Sequence, residues 1–484
     1  MAVLKLSTPG VFVQELSTLP PSVAEVETAI PAFIGYTEKA DKLAADDLIM
    51  IPNKIENLDE FVTFYGGAPA EANDSVAITV NDYGGSRFEV KIVPDVTKRS
   101  KHNLYNAVKH FYDNGGATSY VVSAGKYGAI DKAKLKDGLE AVKDIDEVTL
   151  LVMPEARQAG DAAAYTELVN AMIKQASDLK DRFALIDPFQ VTPKNTTDPN
   201  GDIDADVAVI RNATLGVEEN RYAAAYYPYI ITTYNYKFDF DNLTITTYNL
   251  AGSPPPAAPS VPDYAAGKKM SDLGNGSLLY TKVSDELKRL YVVLPPSPAI
   301  AGLYTRVDSN KGVWKAPANE SLLSTVSPYI EISNREQENL NVDPASGKSI
   351  NVIRSFPGYG TLVWGARTLN GNDGEWKYIS VRRFFNMVEE SIKKSSQWAV
   401  FEPNTISTWV KISAMIENYL FVKWRDGALA GSKPEQAFYV RVGLGTTMTP
   451  QDILDGRMNV EIGMAVSRPA EFIVLTFTQL MQQA

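Results

Sequence analysis

Cysteine is absent from this sequence of 484 residues. Its absence excludes disulfide bonds, thiolate metal sites and cysteine nucleophiles, and it fits assembly in a reducing cytoplasm. The chain opens with no basic segment leading into an apolar one, and no stretch approaches the roughly 18 consecutive apolar residues of a membrane span. We therefore expect neither a signal peptide nor insertion into a membrane.

Histidine is almost as scarce, because only His102 and His110 occur. Two metal ligands on one helix face would stand about four residues apart, which these two do not, so we expect surface side chains and no shared metal. Neither ring accompanies a serine nucleophile elbow. Gly347-Lys348-Ser349 ends like a phosphate-binding loop, but Val342 stands where that motif needs glycine. The sequence thus predicts no enzyme, no catalytic residue, no metal site and no cofactor.

Positive charge is in deficit, and the deficit is uneven along the chain. The net charge is −11, yet residues 351–484 carry 14 Lys and Arg against 12 Asp and Glu. The acidity therefore lies in the preceding residues. An acidic body argues against nucleic acid as a partner, because phosphate binding needs clustered cations. It suits a solvated outer surface, whereas the nearly neutral C-terminal part suits contact with another protein.

The middle of the chain alternates between helical and strand-like patterns. Between residues 104 and 186 a helical pattern leads into a short apolar run three times, and an apolar run at 32–35 precedes them. This alternation predicts an α/β layer with a parallel sheet. Two insertions interrupt it: residues 68–100 predict a β-hairpin, and residues 236–285 predict a decoration with a proline-rich loop.

The C-terminal part has an α+β pattern instead. Two helices are predicted, the second of which follows Pro403 and should be the longest in the chain. Alternating apolar residues near 438–444 and 458–466 predict two half-buried strands. The apolar stripe of the first helix is Val381, Phe384, Val388 and Ile392, and that of the second helix is Ile406, Trp409, Ile416, Leu420 and Trp424.

Both ends of the chain contain short extended segments. Residues 8–15 form one before the break at Pro20-Pro21, and residues 468–475 open another that is apolar on both faces. A strand needs a partner for its backbone groups. The residues alone leave open whether that partner lies in the same subunit or in another one.

Several short sequences of the C-terminal part occur together in a specific order. They are VWGARTL at 363–369, EWKYISVRRFF at 375–385, WAVFEPN at 398–404 and AFYVRVG at 437–443. In this order they resemble the C-terminal domain of contractile tail sheath proteins, a family that includes the sheaths of contractile bacteriophages, R-type pyocins and phage-like injection systems. The segments TPGVFVQE at 8–15 and AYYPYI at 225–230 resemble other parts of the same family.

The resemblance implies a multi-domain protein of α/β and α+β class. Its parts would be an N-terminal arm, an outer α/β domain with a parallel sheet and the two β-rich insertions, an inner C-terminal sheath domain, and a C-terminal arm. The inner domain would hold the two long helices and an edge sheet that is completed by exchanged terminal strands. The expected boundaries are 1–22, 23–345, 346–467 and 468–484.

The family also implies how the arms are used. Both arms would be donated to neighbouring copies by β-augmentation. The residues expected to take part in this inter-subunit strand exchange are Val11, Phe12, Val13, Phe472, Ile473, Val474 and Leu475.

A contact with an inner tube is expected to involve cations of the C-terminal part. The candidates are Arg382, Arg383, Lys393, Lys394, Lys423, Arg425 and Lys433. Two of them also follow acidic residues at a spacing that favours ion pairs along a helix, Glu389 before Lys393 and Glu390 before Lys394. A solvated helix face is the alternative for each candidate.

The function implied is that of a structural sheath subunit. It would polymerise as stacked hexameric rings around an inner tube and contract to drive that tube through a target envelope. Further partners would be baseplate and terminal cap proteins and paralogous sheath subunits. Assembly in the bacterial cytoplasm, followed by incorporation in a phage tail or a released particle, would fit. Two alternatives stay open, a non-contractile surface-array or capsid-like protein and an α/β enzyme.

Overall fold

A computed structural model describes residues 22–192, 202–212, 215–261, 266–273 and 277–475. The helices are α1 Leu58–Tyr65, α2 Leu104–Asp113, α3 Lys132–Ala141, α4 Ala162–Leu179, α5 Ile203–Arg211, α6 Val217–Asn220, α7 Leu278–Leu287, α8 Ser297–Lys311, α9 Asn334–Asn341, α10 Ile379–Ser395, α11 Ile406–Arg425, α12 Pro434–Ala437 and α13 Pro450–Leu454.

The strands are short and come mostly from the first three quarters of the chain. They are β1 Pro31–Thr37, β2 Asn53–Ile55, β3 Ala70–Glu71, β4 Val76–Asp82, β5 Phe88–Pro94, β6 Ser119–Lys126, β7 Leu150–Val152, β8 Phe183–Ile186, β9 Ala223–Tyr227, β10 Ile230–Asn235, β11 Lys237–Phe238, β12 Thr247–Leu250, β13 Tyr291–Leu294, β14 Glu320–Ser321, β15 Thr325–Pro328, β16 Ile350–Phe356, β17 Gly360–Trp364, β18 Phe438–Val442 and β19 Val460–Met464.

The chain divides into two compact units. Within the described ranges, the larger unit comprises residues 27–387 and 468–475, and the smaller unit comprises residues 22–26 and 388–467. The division falls inside α10 and does not coincide with the predicted boundary at 345/346. The reason is that β16 and β17, which lie beyond that boundary, pair into the main sheet of the larger unit.

The larger unit is built on a nine-stranded sheet in the order β14-β17-β16-β9-β8-β7-β1-β6-β2. From β16 to β6 neighbouring strands are parallel, as the repeated helix-strand pattern predicts. At the two margins β2, β17 and β14 pair antiparallel, so the sheet is mixed. Both faces are covered: Ala32 and Ile34 of β1 enter one apolar cluster and Phe33 enters the other. Burial on both faces explains why these strands read as continuous apolar runs.

The two predicted insertions of the larger unit form one module. β4 and β5 pair antiparallel, which confirms the predicted hairpin, and β12 from the second insertion pairs parallel with β4. Ile78 and Ile245 lie in the same buried cluster. The proline-rich loop is fastened as well, since Ser260 donates through its backbone N–H and its hydroxyl to the Asp82 carboxylate at 2.5 and 2.6 Å.

The smaller unit contains the end of α10, the helix α11 and an antiparallel pair of strands. α11 has 20 residues and is the longest helix in the described residues, as predicted. β18 and β19 pair from Phe438 opposite Met464 to Val442 opposite Val460. Among the described helices, none combines the length and the apolar composition needed to cross a membrane.

The predicted apolar stripes have different outcomes. All four stripe residues of α10 are buried, so that prediction is confirmed. On α11 the predicted burial is confirmed for Ile416 and Leu420, but it is wrong for Ile406, which is 70% exposed. Ile406 is the first residue of its helix, and Ile412, Met415 and Tyr419 supply the buried face instead.

Candidate functional site

The place where a parallel sheet most often binds a ligand is filled by the chain itself. Because β6 lies on one side of β1 and β7 on the other, the topological switch point is between β1 and β7. The fully buried Glu155 carboxylate occupies it and accepts N–H groups of Tyr36 at 2.8 Å, Asn103 at 2.8 Å and Leu104 at 3.2 Å. These last two are the N-cap residue and the first residue of α2, whose amides would otherwise be open to an external anion. This arrangement speaks against a phosphate ligand at the switch point.

The two histidines are buried, so the expectation that they lie at the surface is wrong. His102 Nδ1 is 3.8 Å from Glu155 Oε1, and its Nε2 accepts the Gly128 N–H at 3.0 Å. His110 Nε2 donates to the Leu323 carbonyl at 3.2 Å, and burial lowers the pKa of His110 to about 4. Each ring therefore tethers a loop. In the part of the chain that the structure describes, no group of three or more potential ligands is placed to hold a metal ion.

The end of the described chain presents four apolar side chains in succession. Phe472, Ile473, Val474 and Leu475 are between 71% and 86% exposed, and they belong to no strand. A run of this kind on a single subunit marks an interaction site. The corresponding candidates at the other end, Val11, Phe12 and Val13, lie outside the described residues.

The β18–β19 pair offers edges to which a further strand can bind. The sheet contains only these two strands within the described ranges, so each has a partner on one side. Its residues alternate between half-buried and exposed along β18. A two-stranded sheet with open edges is a template for pairing with another strand.

Three of the seven candidate cations lie in the interior. Arg382 and Arg383 are 2% and 4% exposed. The first stacks on Trp376 with its guanidinium carbon 4.4 Å from the ring centre, and the second binds Asp308 at 2.5 Å. Lys423 is also buried and contacts Glu25. Burial of these three argues against direct contact with another molecule, so we do not propose them as tube contacts.

The other four candidates reach the surface to different extents. Lys393 and Lys394 contact Glu390 at 3.0 and 3.6 Å, and the second of these is the predicted four-residue pair. Arg425 and Lys433 are exposed, Arg425 with 67% of its side chain. Direct contact with another molecule is thus sterically open to these four.

Sequence analysis missed the carboxylates that organise the structure, namely Glu25, Glu155, Asp308 and Glu471. One signal was present: Glu471 is the only acidic residue among positions 468–484. A lone carboxylate within such an apolar segment indicates a dedicated partner. Asp308 carries no such signal, because its partners lie far away in the sequence.

Two family profiles together match most of the chain. That of the phage tail sheath protein central domain matches residues 128–369, and that of the phage tail sheath C-terminal domain matches residues 372–479. The tail sheath protein of Enterobacteria phage T4 is 27% identical over 150 residues, which cover 30% of this chain and 21% of the T4 protein. The tail sheath protein of Burkholderia phage BcepMu is 27% identical over 164 residues, covering 32% of this chain and 33% of the phage protein. The chain thus matches between a fifth and a third of the length of these curated relatives, which are structural tail sheath proteins and not enzymes.

Solved structures are similar over nearly the whole chain. The helical sheath of the anti-feeding prophage in its contracted state has 28% identity and a TM-score of 0.63, and the match covers 98% of this chain and 99% of that one. The sheath complex of the extracellular contractile injection system PVC, also contracted, has 29% identity and a TM-score of 0.62, with 98% of both chains covered. Since the two domain profiles match in chain order and the fold agrees, this chain belongs to the phage tail sheath family.

Proposed function

We propose that this chain is the structural sheath subunit of a contractile particle. Copies polymerise as helically stacked hexameric rings around an inner tube and shorten to drive the tube through a target envelope. The supporting observation is the exposed apolar segment Phe472–Leu475, which ends the described chain without a strand partner, together with the open-edged β18–β19 pair. The likeness to two contracted sheaths over 98% of the chain supports the same function.

Strand donation would connect the copies. A donated strand adds backbone hydrogen bonds along an open edge and places alternate side chains on the two faces of the sheet. Main-chain pairing of this kind persists while the bodies it joins change orientation, because hydrogen bonds within the strand pair are unaffected. The proposed partners of one subunit are therefore its neighbours, with the inner tube, the baseplate and the terminal cap as further contacts.

The energy for shortening would be stored in the assembly. Glu155 fills the switch point where a nucleotide phosphate would bind, which disfavours fuel consumption by this fold. Shortening then runs downhill from a metastable extended state held by a kinetic barrier. Assembly in the bacterial cytoplasm and release as part of a phage tail or phage-like particle complete the proposal.

Electron microscopy of the purified protein tests this function. We expect long hollow cylinders with helical order, because the proposed arms connect copies within and between rings. Flat lattices would support a static surface-array protein instead, and discrete small oligomers would support an enzyme-like assembly. Either of those two results would overturn the sheath assignment.

The contact with the tube is expected to depend on exposed cations of the smaller unit. Reversing two charges in the double variant Arg425→Glu/Lys433→Glu should abolish co-sedimentation of tube protein with sheath cylinders at low salt. Each exposed ion pair is worth only about 0.2–1 kcal/mol, but the loss repeats in every copy of the ring. Raising the salt concentration should also reduce tube binding by the wild type, because salt screens the attraction between exposed charges.

A matched control changes net charge equally at a different surface. Lys91 and Lys101 are exposed residues of the larger unit, and the variant Lys91→Glu/Lys101→Glu should keep tube binding. Equal tube binding by all three proteins would remove Arg425 and Lys433 from the proposed contact.

A further inference from the structure

The exposed C-terminal segment is fastened to the larger unit through Glu471. The carboxylate accepts two hydrogen bonds from Arg367, from Nε at 3.0 Å and from Nη2 at 2.7 Å. Asn341 Nδ2 donates to it at 2.8 Å and the Tyr378 hydroxyl at 3.3 Å. A guanidinium that grips a carboxylate in two places fixes orientation as well as distance. The chain is therefore held at the residue directly before Phe472.

The receiving side of this contact is rigid. Arg367 is 6% exposed, and its backbone N–H donates to Asn351 Oδ1 at 2.8 Å. Asn351 belongs to β16 of the large sheet and returns a hydrogen bond to the Arg367 carbonyl at 2.8 Å. Arg367 Nη1 donates to the Gly371 carbonyl at 3.1 Å. The guanidinium thus has a fixed position before the terminal segment reaches it.

Electrostatics favour the ionised carboxylate. Burial by itself would raise the pKa of Glu471, but hydrogen bonds from Arg367 and Asn341 outweigh burial and lower that pKa below its ordinary value. A carboxylate with a lowered folded-state pKa stabilises the contact above its unfolded pKa, and the contribution is lost as the pH falls through the folded-state value. The fastening is therefore complete at neutral pH and weakens in acid.

The charge distribution of the segment matches this role. Arg468 is its only cation, and Arg468 Nη1 donates to the Gly374 carbonyl at 2.9 Å. Both charges of residues 468–484 are thus engaged with the larger unit, and residues 472–484 contain no charged side chain. An uncharged segment with β-branched and aromatic residues suits strand pairing.

The opposite end of the described chain has a similar contact inside the smaller unit. Glu25 contacts the buried Lys423 of α11. On either side of Glu25, the N–H of Ala24 donates to Ser395 Oγ and the N–H of Val26 to Ser391 Oγ, both at 3.1 Å. A carboxylate and a buried cation therefore fasten each end of the described chain.

We propose that Glu471 and Glu25 are latches that fix where the two arms leave the subunit. The inference rests on the proposed strand donation, because only a donated arm needs a defined point of departure. A fixed exit shortens the tether and raises the effective concentration of the arm at an acceptor edge. It also fixes pairing register, since a slip by one residue turns every side chain to the other face of the sheet. Both glutamates are positioning residues and need not touch the acceptor strand.

Hydrogen exchange of the freshly purified, unassembled protein tests the latch directly. At pH 7 the variant Glu471→Gln should exchange the amides of residues 468–475 about tenfold or more faster than the wild type, since it loses a charge-assisted hydrogen bond. The variant Glu25→Gln should likewise speed amide exchange, but only at residues 22–26. Lowering the pH through the folded-state pKa of Glu471, which lies below the ordinary glutamate value, should release the C-terminal latch in the wild type but change the Glu471→Gln protein little, once the intrinsic pH dependence of exchange is subtracted.

The control variant Glu167→Gln removes a surface carboxylate that binds Lys132 and Lys136, and it should leave exchange at both ends unchanged. Unchanged exchange at residues 468–475 in Glu471→Gln would overturn the latch. The two latch variants, Glu471→Gln and Glu25→Gln, should also form cylinders several-fold more slowly than the wild type. If a variant showed fast amide exchange but formed cylinders at the wild-type rate, the positioning role would be overturned. Failure of the wild type to form cylinders would count against the proposed function, while the exchange result still decides the latch.

Discussion

Replacing Arg383 by methionine is expected to lower the free energy of unfolding of the larger unit by about 3–5 kcal/mol. The substitution leaves the Asp308 carboxylate, which is 7% exposed, without its guanidinium partner. It also removes the hydrogen bond to the Thr28 carbonyl at 2.9 Å and the contact with the Tyr304 ring at 4.3 Å. An uncompensated buried charge costs more than the pair contributes. Urea denaturation of wild type and variant, compared at their midpoints, measures the difference.

Two further variants test whether the unpaired carboxylate of Asp308 causes the loss of stability. Adding Asp308→Asn to Arg383→Met removes the stranded charge and should recover part of the lost stability. Glu167→Gln disrupts ion pairs with Lys132 and Lys136 whose side chains are between 37% and 53% exposed, and it should cost less than about 1 kcal/mol. An Arg383→Met effect no larger than that of Glu167→Gln would contradict the prediction.

Deleting residues 2–19 together with 472–484 is expected to leave folded subunits that form no cylinders. The deletion removes both proposed donor strands and keeps the Glu471 contact. Burying one side chain such as Phe472, Ile473 or Leu475 contributes about 1.5–3 kcal/mol, so each copy would lose several such terms and a set of main-chain hydrogen bonds. Electron microscopy measures assembly, and circular dichroism checks the fold.

Two substitutions at Ile473 test strand donation without shortening the chain. Ile473→Pro keeps the length of the arm but removes a backbone N–H, which strand pairing requires. It should reduce assembly strongly, whereas Ile473→Val should assemble normally because it keeps both the N–H and the β-branched shape. Full-length cylinders from the double deletion would refute strand donation.

Sequence patterns predicted the features that depend on local periodicity. The stripe of α10 at Val381, Phe384, Val388 and Ile392 is buried, because residues three and four apart on a helix share one face. Much of the parallel core of the large sheet was predictable because three of its strands, β6, β7 and β8, are short apolar runs behind a helical pattern. The antiparallel margins were not predicted, since β2 and β14 comprise only three and two residues.

Long-range partners were beyond the sequence patterns. Arg382 and Arg383 follow one another on a helix and read as surface cations, yet one stacks on Trp376 and the other binds Asp308. Asp308 lies 75 positions before Arg383, so no local spacing could reveal the pair. The same holds for Glu471 and Arg367, which are 104 positions apart. Burial of a charge depends on the folded chain around it, and periodicity contains no information about that environment.

The shared core of the two insertions has an evolutionary consequence. Ile78 and Ile245 are both fully buried in one cluster, although one belongs to the first insertion and the other to the second. A lineage that lost only one of these segments would leave a bare apolar surface on the other, so the two have to be inherited or discarded as a pair. An engineer trimming this subunit to a minimal version must likewise excise both segments in a single step.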